Sequence, residues 1–112
     1  MMNWPDDADG DLLRMLEEKG FDFDNEVTID FEIDFDHWPL SKKEIDAITR
    51  CYPGCEFNDP DEEDIAAGEV NGTVNLQINS KVTYEFIVKT QEEITNSVKQ
   101  YGGWCESWGV LL

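Results

Sequence analysis

The sequence has few of the histidine, cysteine, lysine and arginine side chains that many catalytic and metal sites use. Among its 112 residues are 8 lysines and arginines, 3 cysteines and 1 histidine. It also has no Gly-rich phosphate loop, no nucleophile elbow and no His-Glu-x-x-His pattern. No apolar run approaches the roughly 20 residues that a membrane-spanning helix needs. We therefore expect neither a catalytic residue nor a membrane span.

The cysteines predict no disulfide framework and no zinc site. Cys51, Cys55 and Cys105 are odd in number, and the N-terminus has neither the basic region nor the apolar stretch of a signal peptide. Cytoplasmic proteins keep their thiols reduced. The Cys-x3-Cys spacing, with His37 as the one histidine, does not match the usual zinc arrangements. We expect a cytoplasmic protein with free thiols.

Acidic residues near the N-terminus also predict no metal site. Asp7, Asp9 and Asp11 superficially resemble a calcium-binding loop. The twelve-residue pattern fails, because a glycine at its sixth position puts Leu16 where the last carboxylate ligand belongs. Helix capping explains these acids better, since they favour the dipole of a helix that begins here. The sequence implies no metal and no cofactor.

Charge of one sign dominates the composition. The chain has 26 acidic residues against 8 basic ones, a net charge of −18, and thirteen of the acids lie in residues 1–36. Such a surface repels nucleic-acid phosphate and anionic membranes and attracts basic protein surfaces. We therefore expect a basic protein surface as the partner, with no direct nucleic acid and no membrane. Alternatively, the acids only keep the domain soluble.

The clearest pattern covers residues 27–36, where apolar and polar residues alternate without a break. A period of two predicts a strand with one buried face and one face in solvent. A slip of one residue would bury the carboxylates, so the register is fixed. The outward positions include four acids, namely Asp30, Glu32, Asp34 and Asp36.

The remaining patterns predict an α+β fold in one domain over residues 1–112. Helices are predicted over 9–19, 41–51 and 84–101, and strands over 55–57, 73–79 and 104–112. The last helix could instead begin nearer Thr90. This order fits a ferredoxin-like sandwich (βαββαβ) with an extra N-terminal helix and with the other helices on one face of an antiparallel sheet. Right-handed crossovers place the first strand in the centre, beside the last.

The last predicted strand contains two tryptophans. Trp104, Glu106, Trp108 and Val110 alternate along it, and if this set shares the face of the four acids, two indoles stand beside them. Tryptophan is favoured at interfaces, and arginine can stack on it. Trp108 is the better candidate for exposure, whereas Trp104 is expected to help close the core. The predicted partner-binding residues are Asp30, Glu32, Asp34, Asp36, Glu106 and Trp108.

Three stretches of sequence carry a family resemblance. Residues 4–14 read WPDDADGDLLR, residues 16–22 read LEEKGFD, and residues 101–104 read YGGW. Together with the alternating strand, this order resembles the family of regulators of ribonuclease E activity B (RraB), over about residues 4–108. The resemblance implies a ferredoxin-like fold and, for the characterised branch, inhibition of an RNA-degrading enzyme by direct binding without catalysis.

Two functions therefore stay open at this stage. One is a regulator of the RraB type, whose acidic face binds a basic segment of an RNA-degrading enzyme. The alternative is an immunity- or antitoxin-like acidic binder that mimics nucleic acid on a basic protein surface.

Overall fold

A four-stranded antiparallel sheet is the centre of the computed structural model, which describes residues 4–68 and 70–110. The strands lie in the order β2-β3-β1-β4, so β1 is central and lies beside β4, as predicted. The elements in chain order are α1 (Ala8–Glu18), β1 (Val27–Phe35), α2 (Lys42–Cys51), β2 (Glu56–Asn58), α3 (Glu62–Ala66), β3 (Thr73–Ser80), α4 (Tyr84–Val98), a 3₁₀ turn (Lys99–Tyr101) and β4 (Gly103–Val110).

This architecture confirms the predicted α+β class and the antiparallel sheet. It contains one element that was not predicted, the five-residue helix α3, between β2 and β3. The helix α4 begins at Tyr84, because the side chain of Thr83 accepts a hydrogen bond from the backbone N–H of Phe86. The alternative start near Thr90 is therefore wrong. Residues 111–112 of the predicted last strand lie outside the described residues.

The helices begin where side chains satisfy their first backbone N–H groups. Ser41 and Glu44 form the reciprocal capping box of α2, at 3.1 and 2.8 Å. Asp7 caps α1 by accepting from the backbone N–H of Gly10 at 2.7 Å, and it also accepts from the Tyr84 hydroxyl at 2.6 Å. Both hydrogen bonds stabilise the ionised form of Asp7 and so lower its pKa. The bond from Tyr84 has the larger effect, and the bond from Gly10 the next largest.

The core lies on one side of the sheet. The inward residues of β1 are at most 2% exposed, and buried residues of α1, α2 and α4 belong to the same cluster. Each large apolar side chain buried in this way contributes about 1.5–3 kcal/mol of transfer free energy. None of the helices within the described part of the chain is both long and apolar enough to cross a membrane. The inward residues of β1 are Ile29, Phe31, Ile33 and Phe35.

A β-bulge in β4 changes which side chains face the core. On β1, Glu32 pairs with Ser107 but Ile33 pairs with Cys105, so Glu106 is an extra residue. The alternation of β4 is therefore shifted on one side of the bulge relative to the other.

The predicted exposure of the two tryptophans is wrong for this reason. Trp108 pairs with Phe31 and is 8% exposed, whereas Trp104 pairs with Asp34 and is 38% exposed. Uninterrupted alternation would have placed both on one face. The bulge instead directs Trp108 into the core and Trp104 away from it.

Trp108 connects three elements through one carboxylate. Its Nε1–H donates to Asp9 Oδ1 at 2.9 Å, and Gln91 Nε2 donates to the same carboxylate at 3.1 and 3.2 Å. These bonds join β4, α1 and α4 at a partly buried position. A hydrogen bond to a charged group is among the stronger contributions to stability.

The variant Trp108→Phe tests this connection. It removes the N–H donor to Asp9, so we expect the free energy of unfolding to fall by about 1.5–3 kcal/mol in urea titrations. The matched control is Trp104→Phe, which removes an indole donor at the surface and should change stability by about 0.5 kcal/mol or less. Equal losses in the two variants would contradict the assignment of Trp108 to the core.

Candidate partner-binding face

The side of the sheet opposite the core carries polar side chains on all four strands. Thr28, Asp30, Glu32 and Asp34 of β1 point there, because their neighbours along the strand point into the core. Residues directly across from them on β3 and β4 share that side. We call this surface the open face, and its other members are Glu56, Asn58, Thr73, Asn75, Gln77, Asn79, Trp104 and Ser107.

Three of the predicted acids form a row along the middle of the open face. Asp30, Glu32 and Asp34 follow one another on the central strand, at a same-face spacing of about 6.5–7 Å. Neutral donors contact two of them, since Gln77 Nε2 lies 2.8 Å from Asp30 Oδ1 and Ser107 Oγ lies 3.4 Å from Glu32 Oε2. We call these three residues the acidic row.

No lysine or arginine within residues 4–68 and 70–110 forms an ion pair with Asp30 or Glu32. Amide and hydroxyl donors satisfy carboxylate oxygens but leave the negative charge in place. The open face therefore keeps a negative electrostatic potential, which attracts a cationic group of another molecule.

Asp36, the fourth predicted acid, belongs to a different group of residues. It follows the end of β1, and its Oδ1 lies 2.7 Å from His37 Nδ1. Its backbone N–H donates to Gly102 O at 2.9 Å. Gly102 has φ 76°, and a Cβ there would come within 2.2 Å of Asp36 Oδ1. The structure thus holds Asp36 under the turn before β4 and apart from the acidic row.

His37 lies between two carboxylates in the turn after β1. Its other ring nitrogen, Nε2, is 2.9 Å from Glu44 Oε2 in the capping box of α2. Asp36 first and then Glu44 raise the pKa of His37, because both bind the charged imidazolium. The backbone N–H of Ser41 is the main cause of the lowered pKa of Glu44, and His37 adds to it. These contacts connect the end of β1 to the start of α2.

Trp104 and Glu106 come together at one end of the open face. The Nε1–H of Trp104 donates to Glu106 Oε2 at 2.7 Å, and both residues are exposed. Trp104 lies directly across from Asp34 on β1. Of the six predicted residues, Asp30, Glu32, Asp34 and Glu106 thus lie on or beside the open face, whereas Asp36 and Trp108 do not. The sequence reasoning assigned Trp104 to the core and left it out of the predicted partner-binding residues, since nothing in the local sequence marks the bulge.

The cysteines are free thiols of low reactivity where they are buried. Burial raises the pKa of Cys105 to about 12, with the nearby Asp9 carboxylate as the next cause. Burial also raises the pKa of Cys55. Both thiols stay protonated at neutral pH and are poor nucleophiles. Among the described residues, no group of three or more histidine, cysteine or acidic side chains is arranged to hold a metal ion.

Comparison with known proteins supports the resemblance noted in the sequence. Residues 6–110 match the family model described as regulator of ribonuclease activity B (RraB), which covers nearly the whole chain. A search among curated proteins gives no match.

The environment of His37 predicts a raised pKa that NMR can measure. Because this is the only histidine, its ring signals need no assignment by mutation. We expect a pKa above the ordinary value of about 6.5, and we expect Asp36→Asn to lower it. The control is Asp46→Asn, which removes an exposed acid of α2 and should leave the pKa nearly unchanged. An unaltered pKa in Asp36→Asn would show that the carboxylate contact is not made in solution.

The same contact predicts a pH dependence of stability. The folded-state pKa of His37 is raised above the unfolded value, so its stabilising effect is complete below about pH 6.5. That effect is lost as the pH rises through the folded-state pKa. Compared with His37→Gln, the wild-type chain should therefore have its largest stability advantage near pH 6, by urea unfolding. An advantage that grows between pH 6 and pH 9 would refute this sign.

Proposed function

Because this chain belongs to the family of regulators of ribonuclease activity B (RraB), we propose that it is a non-catalytic protein that regulates an RNA-degrading enzyme by binding it. The acidic row on the open face is the observation that supports binding through this surface. No lysine or arginine of the described chain forms an ion pair with Asp30 or Glu32. We propose that this face contacts a basic segment of the enzyme.

The chemistry of the partner supports this choice of surface. An enzyme that acts on RNA needs lysines and arginines to bind phosphate. A rigid row of carboxylates is complementary to such a surface and increases the rate of encounter through long-range attraction. Binding there would either cover the surface that RNA uses or hold a basic segment of the enzyme in place. In both cases the regulator needs no reacting group of its own.

The fold is well suited to presenting a flat charged surface. The strand order β2-β3-β1-β4 with antiparallel neighbours supports a ferredoxin-like sandwich, in which one face of the sheet is left without helices. The cytoplasm, expected from the sequence, is the location that we propose for this interaction. The immunity- or antitoxin-like alternative would use the same face, and membership of a family of ribonuclease regulators favours the first function.

Charge reversal on the acidic row tests the proposal. Asp30→Lys combined with Glu32→Lys should weaken capture of the ribonuclease in pulldowns from the source cell by about tenfold or more, since each reversal replaces an attraction of roughly 1 kcal/mol with a repulsion. The matched control is Glu18→Lys with Glu92→Lys, which changes the net charge equally at exposed sites on α1 and α4.

The outcomes of this experiment separate the partner from the surface. If the wild-type chain captures no ribonuclease, the proposed function is wrong. If the control weakens capture as much as the reversal of Asp30 and Glu32, net charge matters but the open face is not the binding surface. Circular dichroism of both variants establishes that the fold is retained.

A further inference from the structure

Trp104 is an exposed indole in strongly acidic surroundings. It is 38% exposed, and it lies on the open face directly across from Asp34. Exposed tryptophans are uncommon, because burial of the large ring is favourable. Its Nε1–H donates a hydrogen bond to Glu106 Oε2 at 2.7 Å, which favours one orientation of the ring. The result is an exposed aromatic surface with the acidic side chains of Glu106 and Asp34 beside it.

The bulge in β4 produces this arrangement. Glu106 is the extra residue, and its presence turns Trp104 to the open face while Trp108 stays in the core. A bulge disrupts the hydrogen-bond ladder locally, and bulges are over-represented beside functional sites, where they redirect a side chain. The same backbone irregularity thus supplies both the indole and the carboxylate that orients it.

A shallow cleft adjoins the indole. It has a volume of about 320 Å³ and is lined by Asp34, Thr73 and Trp104 from the sheet and by Val70 and Gly72 from the segment before β3. No lysine or arginine in the described part of the chain forms an ion pair with Glu106. Glu106 does not line the cleft but accepts the hydrogen bond of the Trp104 indole. The cleft therefore has an aromatic wall, the acidic side chain of Asp34 in its lining and the Glu106 carboxylate beside the ring, which together favour a cation over a neutral apolar side chain.

We propose that Trp104 and Glu106, with Asp34 beside them, form an arginine-binding site at one end of the acidic row. The nature of the partner, a basic protein segment, rests on the proposed function. A guanidinium group is planar, so it can stack on the indole while its edge donates hydrogen bonds to a carboxylate. A lysine ammonium is a compact and strongly hydrated charge, and it uses this geometry less well. The site therefore distinguishes arginine from lysine, whereas the acidic row alone responds to charge.

The test uses two synthetic peptides of equal charge, six Gly-Arg repeats and six Gly-Lys repeats. Binding is followed by NMR through the indole N–H signals of the 4 tryptophans. We expect the arginine peptide to bind about two- to fivefold more tightly, from a cation–π contribution of about 0.5–1 kcal/mol at an exposed site. The Trp104 signal should shift more with the arginine peptide than with the lysine peptide.

Two variants assign the preference to the indole. Trp104→Leu should remove the preference and leave the affinity for the lysine peptide nearly unchanged, because the acidic row is intact. The control Ile65→Ala truncates another exposed apolar side chain, on α3, and should keep the preference. Trp104→Phe retains an aromatic ring, so it should keep part of the preference and serves if the leucine variant is unstable.

Several results would overturn the arginine site. These are equal affinity for the two peptides, no binding of either peptide, a preference that survives Trp104→Leu, or equally tight binding of a neutral Gly-Leu peptide. None of them affects the pulldown with Asp30→Lys and Glu32→Lys, which tests the proposed function separately. If that variant loses ribonuclease capture but the peptides show no preference for arginine, the proposed regulatory function is supported and the arginine-binding site is rejected.

Discussion

The alternation of β1 is the constraint on which the rest of the molecule depends. Its inward side chains are Ile29, Phe31, Ile33 and Phe35, and they form the part of the core against which the helices pack. Because side chains on a strand alternate strictly, burial of these four residues leaves the acids between them no other direction than the open face. The free energy of core formation thus also holds like charges side by side, despite their mutual repulsion. No separate structural device is needed to keep the acidic row in place.

A second set of contacts fixes the N-terminal helix on this framework. Asp9 accepts from Trp108 and from Gln91, and Asp7 accepts from Gly10 and from the Tyr84 hydroxyl. Acids that look like surplus charge in the sequence are therefore used in two ways. Asp7 and Asp9 take part in hydrogen bonds that connect the start of α1 to α4 and β4, whereas Asp30 and Glu32 of β1 point away from the core. The position of an acid relative to the core, more than the total charge, decides which role it has.

Much of this fold could be predicted from the sequence, because its strongest signals are local. The alternation of β1, the capping box of Ser41 and Glu44, and the helical spacing from Tyr84 onward each follow from neighbouring residues. Two features could not be predicted. Helix α3 is only five residues long, too short for a periodic pattern. The bulge at Glu106 depends on how β4 meets β1, and no local property of residues 103–110 distinguishes it from regular alternation.

The bulge also has an evolutionary consequence. Removing the one extra residue from β4 would reverse the direction of every side chain in one half of the strand. The solvent-facing Trp104 and the core-facing Trp108 could then not both keep their positions. Relatives that lack this residue should therefore differ in a correlated way at the two tryptophan positions, with a polar or small side chain where one of the rings stands here. A length change of one residue would then separate branches of the family more sharply than many substitutions elsewhere on the sheet.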